Sequence, residues 1–399
     1  MPIYTAEWVL PMTGEPTHRG SIAIDNGRIV SVDEQGGVPA RDLGRAAIMP
    51  ALVNAHTHLE LSYLHGKAAR TEAFIDWIRT IMAARRQYPD AADPRIIDAA
   101  RAAIAQARAS GTGLIGDVSN TLVTAPLLHE AAMPAQVFYE LLKFNATDPG
   151  ALAHEARARA DAAVSADVRV SLAPHAPYSV SPGLFGAIRT DLDAHAGGVT
   201  SVHLGESAEE MEFVKRGTGP WRTLLEELGV WTDEWKPPGT SPVEYLEQLG
   251  FLDRRVLAVH GVQFDGDDLR RLRARGMTIV SCPRSNQHVG VGAPPLEAFY
   301  AMDVNVAFGT DSLASAPDLN LFSELAEARR LAPRVSARAL LDSATRQGAL
   351  ALGFEEFGTI EVGKRAHLIA VRVPAGVDDV EEYLVGGIEP SAIRWLETD

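Results

Sequence analysis

Short apolar runs recur along the chain, separated by Ala-rich stretches with helical spacing. The runs are Ala47–Ala55, Gly113–Val118, Ala135–Leu141, Val168–Ala173, Thr200–Leu204, Val256–Val262, Thr278–Cys282 and Val304–Gly309. Between them apolar positions repeat with the period of an α-helix, most clearly in Ile96–Ala109 and Leu152–Val164. Eight strand–helix units in order predict an α/β chain folded as a (β/α)8 TIM barrel, with its active site at the carboxyl ends of the strands. The two ends of the chain follow another rule. Ser21-Ile22-Ala23-Ile24 runs into Asp25-Asn26-Gly27, a hairpin signature, and Gly358-Thr359-Ile360-Glu361-Val362-Gly363-Lys364 leads into Ala366–Val371. Residues 1–50 and 356–399 are therefore expected to form one small β-sandwich domain around a barrel of residues 51–355.

Composition narrows the class. A chain of 399 residues, 46% hydrophobic, is long enough to bury a full core. Its formal net charge of −15, with no basic block, argues against nucleic acid or an anionic membrane as partner and favours a small-molecule substrate. Self-association into a homo-oligomer is left open. The opening MPIYTAEWVL lacks the order of a signal peptide, and no run approaches a membrane span. A single cysteine, Cys282, excludes an internal disulfide, fits a reducing cytoplasm and reads as a buried small residue.

The chemistry sits at the ends of the runs. His56 and His58 close the first, His175 follows the fourth, His203 ends the fifth, His260 the sixth, and Asp311 follows the eighth. Two His at i and i+2 share one face of a strand, so both imidazoles can reach one ion. His18, His129, His154, His195 and His367 fall in helices, turns or the terminal strands and read as surface or packing residues. His65 and His288 lie in rim loops and are open to either reading. Three imidazoles with a carboxylate suit zinc or iron(II) with a place left for water. The fourth run has no lysine to supply a bridging carbamate, and Lys143 lies after the third, so one metal is expected.

The string Pro50-Ala51-Leu52-Val53-Asn54-Ala55-His56-Thr57-His58, with the later histidines and Thr310-Asp311-Ser312, resembles the amidohydrolase superfamily. More closely it is similar to the branch of cytosine, guanine and S-adenosylhomocysteine deaminases. The likeness covers nearly the whole chain, with His367 departing from an Asp common at that place. It implies His56, His58, His203 and Asp311 as ligands of one divalent metal, zinc before iron(II), with His260 and Asp311 moving protons. It also implies that Glu206, in His203-Leu204-Gly205-Glu206, carries a proton from water to a ring nitrogen of the substrate. Aromatic deamination needs such a carboxyl group and amide hydrolysis does not; otherwise Glu206 would simply open an acidic helix.

The strings His58-Leu59-Glu60-Leu61-Ser62, Phe74-Ile75-Asp76-Trp77-Ile78, Pro283-Arg284-Ser285-Asn286 and Asp311-Ser312-Leu313-Ala314-Ser315 resemble enzymes that deaminate 6-aminodeoxyfutalosine. That adenine nucleoside of the alternative menaquinone pathway carries a carboxyphenyl group. Arg284 is the expected partner of its carboxylate, unless it pairs within its own loop. Phe74 and Trp77 are placed to stack on a base or to pack in the core, and His175, between two prolines, either touches substrate or caps its loop. The long stretch Ser207–Arg255, with Trp221, Trp231 and Trp235, is expected to overhang the rim or to pack on the outer wall. Two rival classes stay open: hydrolysis of a cyclic amide or a chlorotriazine on the same metal, and a non-catalytic binding barrel. The second should have lost a ligand, and none is missing.

Overall fold

The computed structural model describes residues 1–33, 40–71 and 73–397. Each of the eight apolar runs contributes one strand to an inner layer, and we number these strands in chain order. They are β1 (Leu52–Thr57), β2 (Thr112–Ser119), β3 (Ala135–Leu141), β4 (Val168–Pro174), β5 (Thr200–Leu204), β6 (Val256–His260), β7 (Thr278–Ser281) and β8 (Asn305–Phe308). Helices such as Pro94–Ala109 and Pro149–Ala163 intervene, each begun by an aspartate whose carboxylate accepts a backbone N–H of the first turn, with Pro at the start.

The ladders form two parallel sheets, β1–β4 and β5–β8. At one seam His203 N donates to His175 O at 2.9 Å and Thr200 Oγ1 to Leu172 O at 2.8 Å; at the other Asp311 N donates to His56 O at 3.1 Å. Side chains join the sheets more fully. Val53, Ala55, Leu114, Val118, Phe138, Ala173, Val199, Leu257, Val259, Val280, Cys282 and Ala307 form one buried cluster that draws on seven of the strands and, through Val199, on the residue just before β5. Their spacing of two along β1, β6 and the end of β7 marks the inward face of each strand.

The first apolar run is shared between two structures. Ala46–Pro50 pairs antiparallel with Leu368–Arg372 in a five-stranded sheet built from the two chain ends, and only after Ala51 does the chain enter β1. A second terminal sheet holds Ile3–Thr5, Ser21–Asp25, Arg28–Asp33 and Arg41–Asp42. Tyr4, Ile22, Ile24 and Ile29 of this sheet meet Ile48, Leu368 and Ala370 of the first in one buried cluster. Val380–Val385, by contrast, turns Val380, Leu384 and Val385 into the large cluster that also holds Leu325 and Ala328 of Leu321–Leu331. No helix among the described residues is long and apolar enough to cross a membrane.

Candidate metal centre and cavity

His56, His58 and His203 bring their ligand atoms within 4.8 Å of one another. His58 Nε2 lies 3.3 Å from His203 Nε2 and 3.7 Å from Asp311 Oδ1, while His56 Nε2 is 3.8 Å from the same carboxylate oxygen. The backbone departs from regularity to achieve this. In β1, Asn54 pairs with Ile115 but Thr57 with Asp117, so the strand gains one residue on its neighbour. Val53 and Ala55 already face the interior, and a regular strand would turn His56 and His58 outward. The slip reverses the phase and brings both rings in. In β6, Leu257 and Val259 face inward, so alternation would point His260 out; its φ of +77° turns it back to the site. Asp311 also holds a positive φ, +57°. Such backbone costs on the order of 1–3 kcal/mol per residue and is characteristic of functional sites. Gly309 permits the close approach of the strands, since a Cβ there would lie 2.6 Å from His56 O.

The donor set fits a divalent cation. His56 is fully buried and neither ring nitrogen has a hydrogen-bond partner among the described residues. An orphaned buried polar atom costs about 1–3 kcal/mol, which ligation through Nε2 would remove. His203 Nδ1 donates to His175 O at 3.0 Å, leaving Nε2 as the ligand atom. Burial lowers His56 well below the usual imidazole range, holds His58 and His260 at about 3, and lowers His203, so all four rings are neutral as ligation requires. Asp311 is ionised: burial opposes this, but His58, His260 and Ser285 bring its carboxyl below the ordinary value. Ser285 Oγ donates to its Oδ2 at 2.6 Å and Ser312 N to its Oδ1 at 2.8 Å.

His58, His203, His260, Asp311 and Ser312 line a cavity of about 400 Å³, with His56 buried behind them. Glu206 lies on its wall, buried, with Oε1 3.6 Å from His260 Nε2. Burial first, and then Asp311, push the Glu206 carboxyl well above its ordinary value, which favours its protonated form. Its backbone is held from below. The Glu210 carboxylate accepts Gly205 N at 3.0 Å and Glu206 N at 2.9 Å, while Ser207 caps the helix Ala208–Arg216. Glu206 therefore precedes that helix and does not open it. Asn286 Nδ2 meets His260 Nδ1 at 2.9 Å and sets that ring's Nε2 toward Glu206. Sequence reasoning passed over Glu210, Ser285 and Asn286, although Ser207-Ala208-Glu209-Glu210 is a recognisable capping-box string.

The expected substrate contacts divide. Phe74, Trp77 and His175 line the cavity, with the Phe74 and Trp77 rings parallel at 6.2 Å. Arg284 does not. Its Nε and Nη2 lie 2.8 Å from Glu324 Oε1 and Asp318 Oδ1, so both arms of its fork are engaged and it braces the outer face of the site. The expectation that it meets a substrate carboxylate is corrected accordingly, and so is the alternative of pairing within its own loop, since Asp318 and Glu324 lie beyond β8, 34 and 40 residues further along the chain. Arg85 and Arg86, which the sequence did not single out, do line the cavity. His288 Nε2 donates to Ala68 O at 3.3 Å, and His367 Nδ1 donates to Gly113 O at 3.2 Å at the opposite end of the strands. Cys282 is buried in the inner cluster. Trp221, Leu224 and Leu225 of Pro220–Glu227 form part of the cavity wall, and Trp221 stacks on Tyr178 at 3.7 Å.

Comparison with known proteins agrees with this geometry. The model of the amidohydrolase family matches residues 47–387. An aminodeoxyfutalosine deaminase of Deinococcus radiodurans is 32% identical over 334 residues, covering 79% of this chain and 75% of the relative. An adenosine deaminase from Xanthomonas campestris with bound zinc superposes with a TM-score of 0.82 at 27% identity, over 98% of this chain and 90% of that one. The Helicobacter pylori aminofutalosine deaminase in complex with methylthio-coformycin gives 0.85 at 24% identity, over 96% and 95%. The chain belongs to the amidohydrolase family, as a hydrolase acting on carbon–nitrogen bonds other than peptide bonds.

Proposed function

We propose that this hydrolase releases ammonia from an aminated purine nucleoside, with 6-aminodeoxyfutalosine as the favoured substrate and a single zinc ion as the favoured cofactor. Glu206 carries the proposal: a buried carboxyl group on the wall of the cavity, pushed by burial toward its protonated form, beside His260 and the imidazole–carboxylate cluster. The two sheets are read as the halves of one TIM barrel, with 1–50 and 356–399 as the companion β-sandwich domain. The name of the Deinococcus radiodurans relative and the cavity volume, within the range of small-ligand sites, support the substrate class.

His56, His58, His203 and Asp311 would hold the ion. A bound divalent cation makes water nucleophilic near neutral pH. The residues of the chain do the rest. Asp311, ionised and fixed by Ser285 and Ser312, accepts a proton from the attacking water, and His260 steadies that proton beside Glu206. Glu206 donates its proton to the ring nitrogen next to the amino-bearing carbon, which prepares that carbon for attack. As the carbon–nitrogen bond breaks, the amine takes the proton held at Asp311 and leaves as ammonia, while the proton of the new hydroxyl passes to the Glu206 carboxylate as the carbonyl forms and restores that group. Phe74 and Trp77 supply flat apolar surface for the base.

Ammonia release from 6-aminodeoxyfutalosine, adenosine, guanine, cytosine and amide substrates by metal-loaded protein tests the reading. Glu206→Gln is expected to retain metal and fold while losing at least about 10²-fold in turnover, the scale of general acid–base catalysis. Near-normal ammonia release by this variant, or turnover confined to a cyclic amide or a chlorotriazine, overturns it.

A further inference from the structure

The cavity is polarised. It is lined by Glu140, Glu206 and Asp311 together with His58, His175, His203 and His260, whereas the only Arg or Lys side chains lining it among the described residues are Arg85 and Arg86. Both lie in the last turn of the helix Phe74–Arg86. The helix dipole alone favours cations in a last turn, but it does not account for their place in the cavity wall. The two are held differently. Arg85 is fixed: Nη1 and Nη2 donate to Asn120 Oδ1 at 3.1 Å each, and Nη2 lies 3.4 Å from Glu60 Oε1. Glu60 is in turn held by Ser119, Asn120 and Thr121. Arg86 is exposed and meets no carboxylate among the described residues. Leu142 and Leu228, both substantially exposed, line the same cavity and offer apolar surface to a ligand.

We infer that Arg86, with Arg85 set beside it, receives a carboxylate carried on an apolar arm of the substrate, at the end remote from the amino group. The inference rests on the nucleoside-deaminase reading of the site and adds what selects among such nucleosides. A guanidinium pairs with a carboxylate through parallel N–H donors. The apolar neighbours favour a singly charged carboxylate over a phosphate, whose larger charge is costlier to bring against them. Arg86 is a specificity residue and takes no part in the bond-making steps.

The test is steady-state kinetics of metal-loaded wild type, Arg86→Ala, Arg86→Lys and Arg86→Glu on 6-aminodeoxyfutalosine, its methyl ester and adenosine 5′-monophosphate. Wild type should prefer the acid to both other compounds. Arg86→Ala should raise KM for the acid about 10- to 100-fold, the range for a hydrogen bond to a charged group, with kcat changed only a few-fold. The acid-over-ester preference in kcat/KM should fall by at least about tenfold, recover in part in Arg86→Lys, and fall furthest in Arg86→Glu. Equal preference in wild type and Arg86→Ala overturns the assignment, as does a wild type that favours the phosphate. A wild type that deaminates acid and ester alike removes the anion subsite and leaves the deaminase standing. A wild type that releases ammonia from no purine nucleoside removes both.

Discussion

At the scale of single residues, a carboxyl group sealed beneath the first rim turn makes stability depend on pH. Asp117 is fully buried and accepts Leu59 N at 2.8 Å and Thr124 Oγ1 at 2.5 Å. Burial, the largest influence, pushes it up to about 8 from an ordinary value of 3.8. The folded protein therefore keeps this proton over a range in which the unfolded chain has released it. The resulting stabilisation is present in full below the ordinary carboxylate value and is lost as pH rises through about 8. Asp117→Asn keeps an acceptor and removes the titration. Denaturant midpoints of wild type should fall relative to Asp117→Asn as pH is raised from 5 to 9; parallel profiles would show that Asp117 does not titrate in this range. Other residues show how far sequence can be read at this scale. That His56, His58, His203 and Asp311 come together was legible, because a metal site would demand those side chains at strand ends. Arg284 misled because an arginine just past a strand looks the same in sequence whether it faces a cavity or a buried carboxylate such as Glu324.

Among elements, the inserted helix Pro220–Glu227 is the one whose role the sequence left divided. Trp221 rests on Tyr178, which lies just after β4, and Leu224 and Leu225 face the same cavity, so the helix covers the floor where water must be controlled. Trp231 and Trp235 instead pack with Phe144 and Phe213, none of which lines the cavity. One stretch thus serves both as cover and as outer packing. Trp221→Ala should raise KM several-fold and abolish the protection from limited proteolysis that a bound deaminase inhibitor gives residues 207–255 of the wild type. Equal cleavage of wild type with and without inhibitor would argue against a closing element. The strands teach a related lesson. Alternation located the inward faces, yet the slip in β1 and the positive φ at His260 are invisible to a period-two reading, because each depends on how a neighbouring strand is met.

On the scale of the whole molecule, the proposed ligand set would tie the two sheets together. His56 and His58 come from β1, His203 from β5 and Asp311 from the turn after β8, so a cation seated among them spans both sheets. Binding to the folded state alone stabilises by about 2.7 kcal/mol when free metal is at 100 times its Kd. Chelation should therefore lower Tm, zinc should restore it, and His203→Ala should abolish both the bound ion and the shift. A wild type that melts identically with and without its metal would show that the centre contributes nothing to cohesion, and two tightly held ions per chain would contradict a mononuclear site. The sequence by itself determined the eight strand–helix units, the strand-forming ends of the chain, and the candidates for binding metal and moving protons. Those properties are local: hydrophobic period sets the element, and side-chain chemistry limits which residues can be ligands or acids. Only the tertiary structure decided that the first apolar run divides between two sheets at Ala51, that Glu210 props Glu206, and that the cations facing the cavity are Arg85 and Arg86 in place of Arg284. Each of these turns on which distant segment a residue meets, and the spacing of residues along a chain does not encode that.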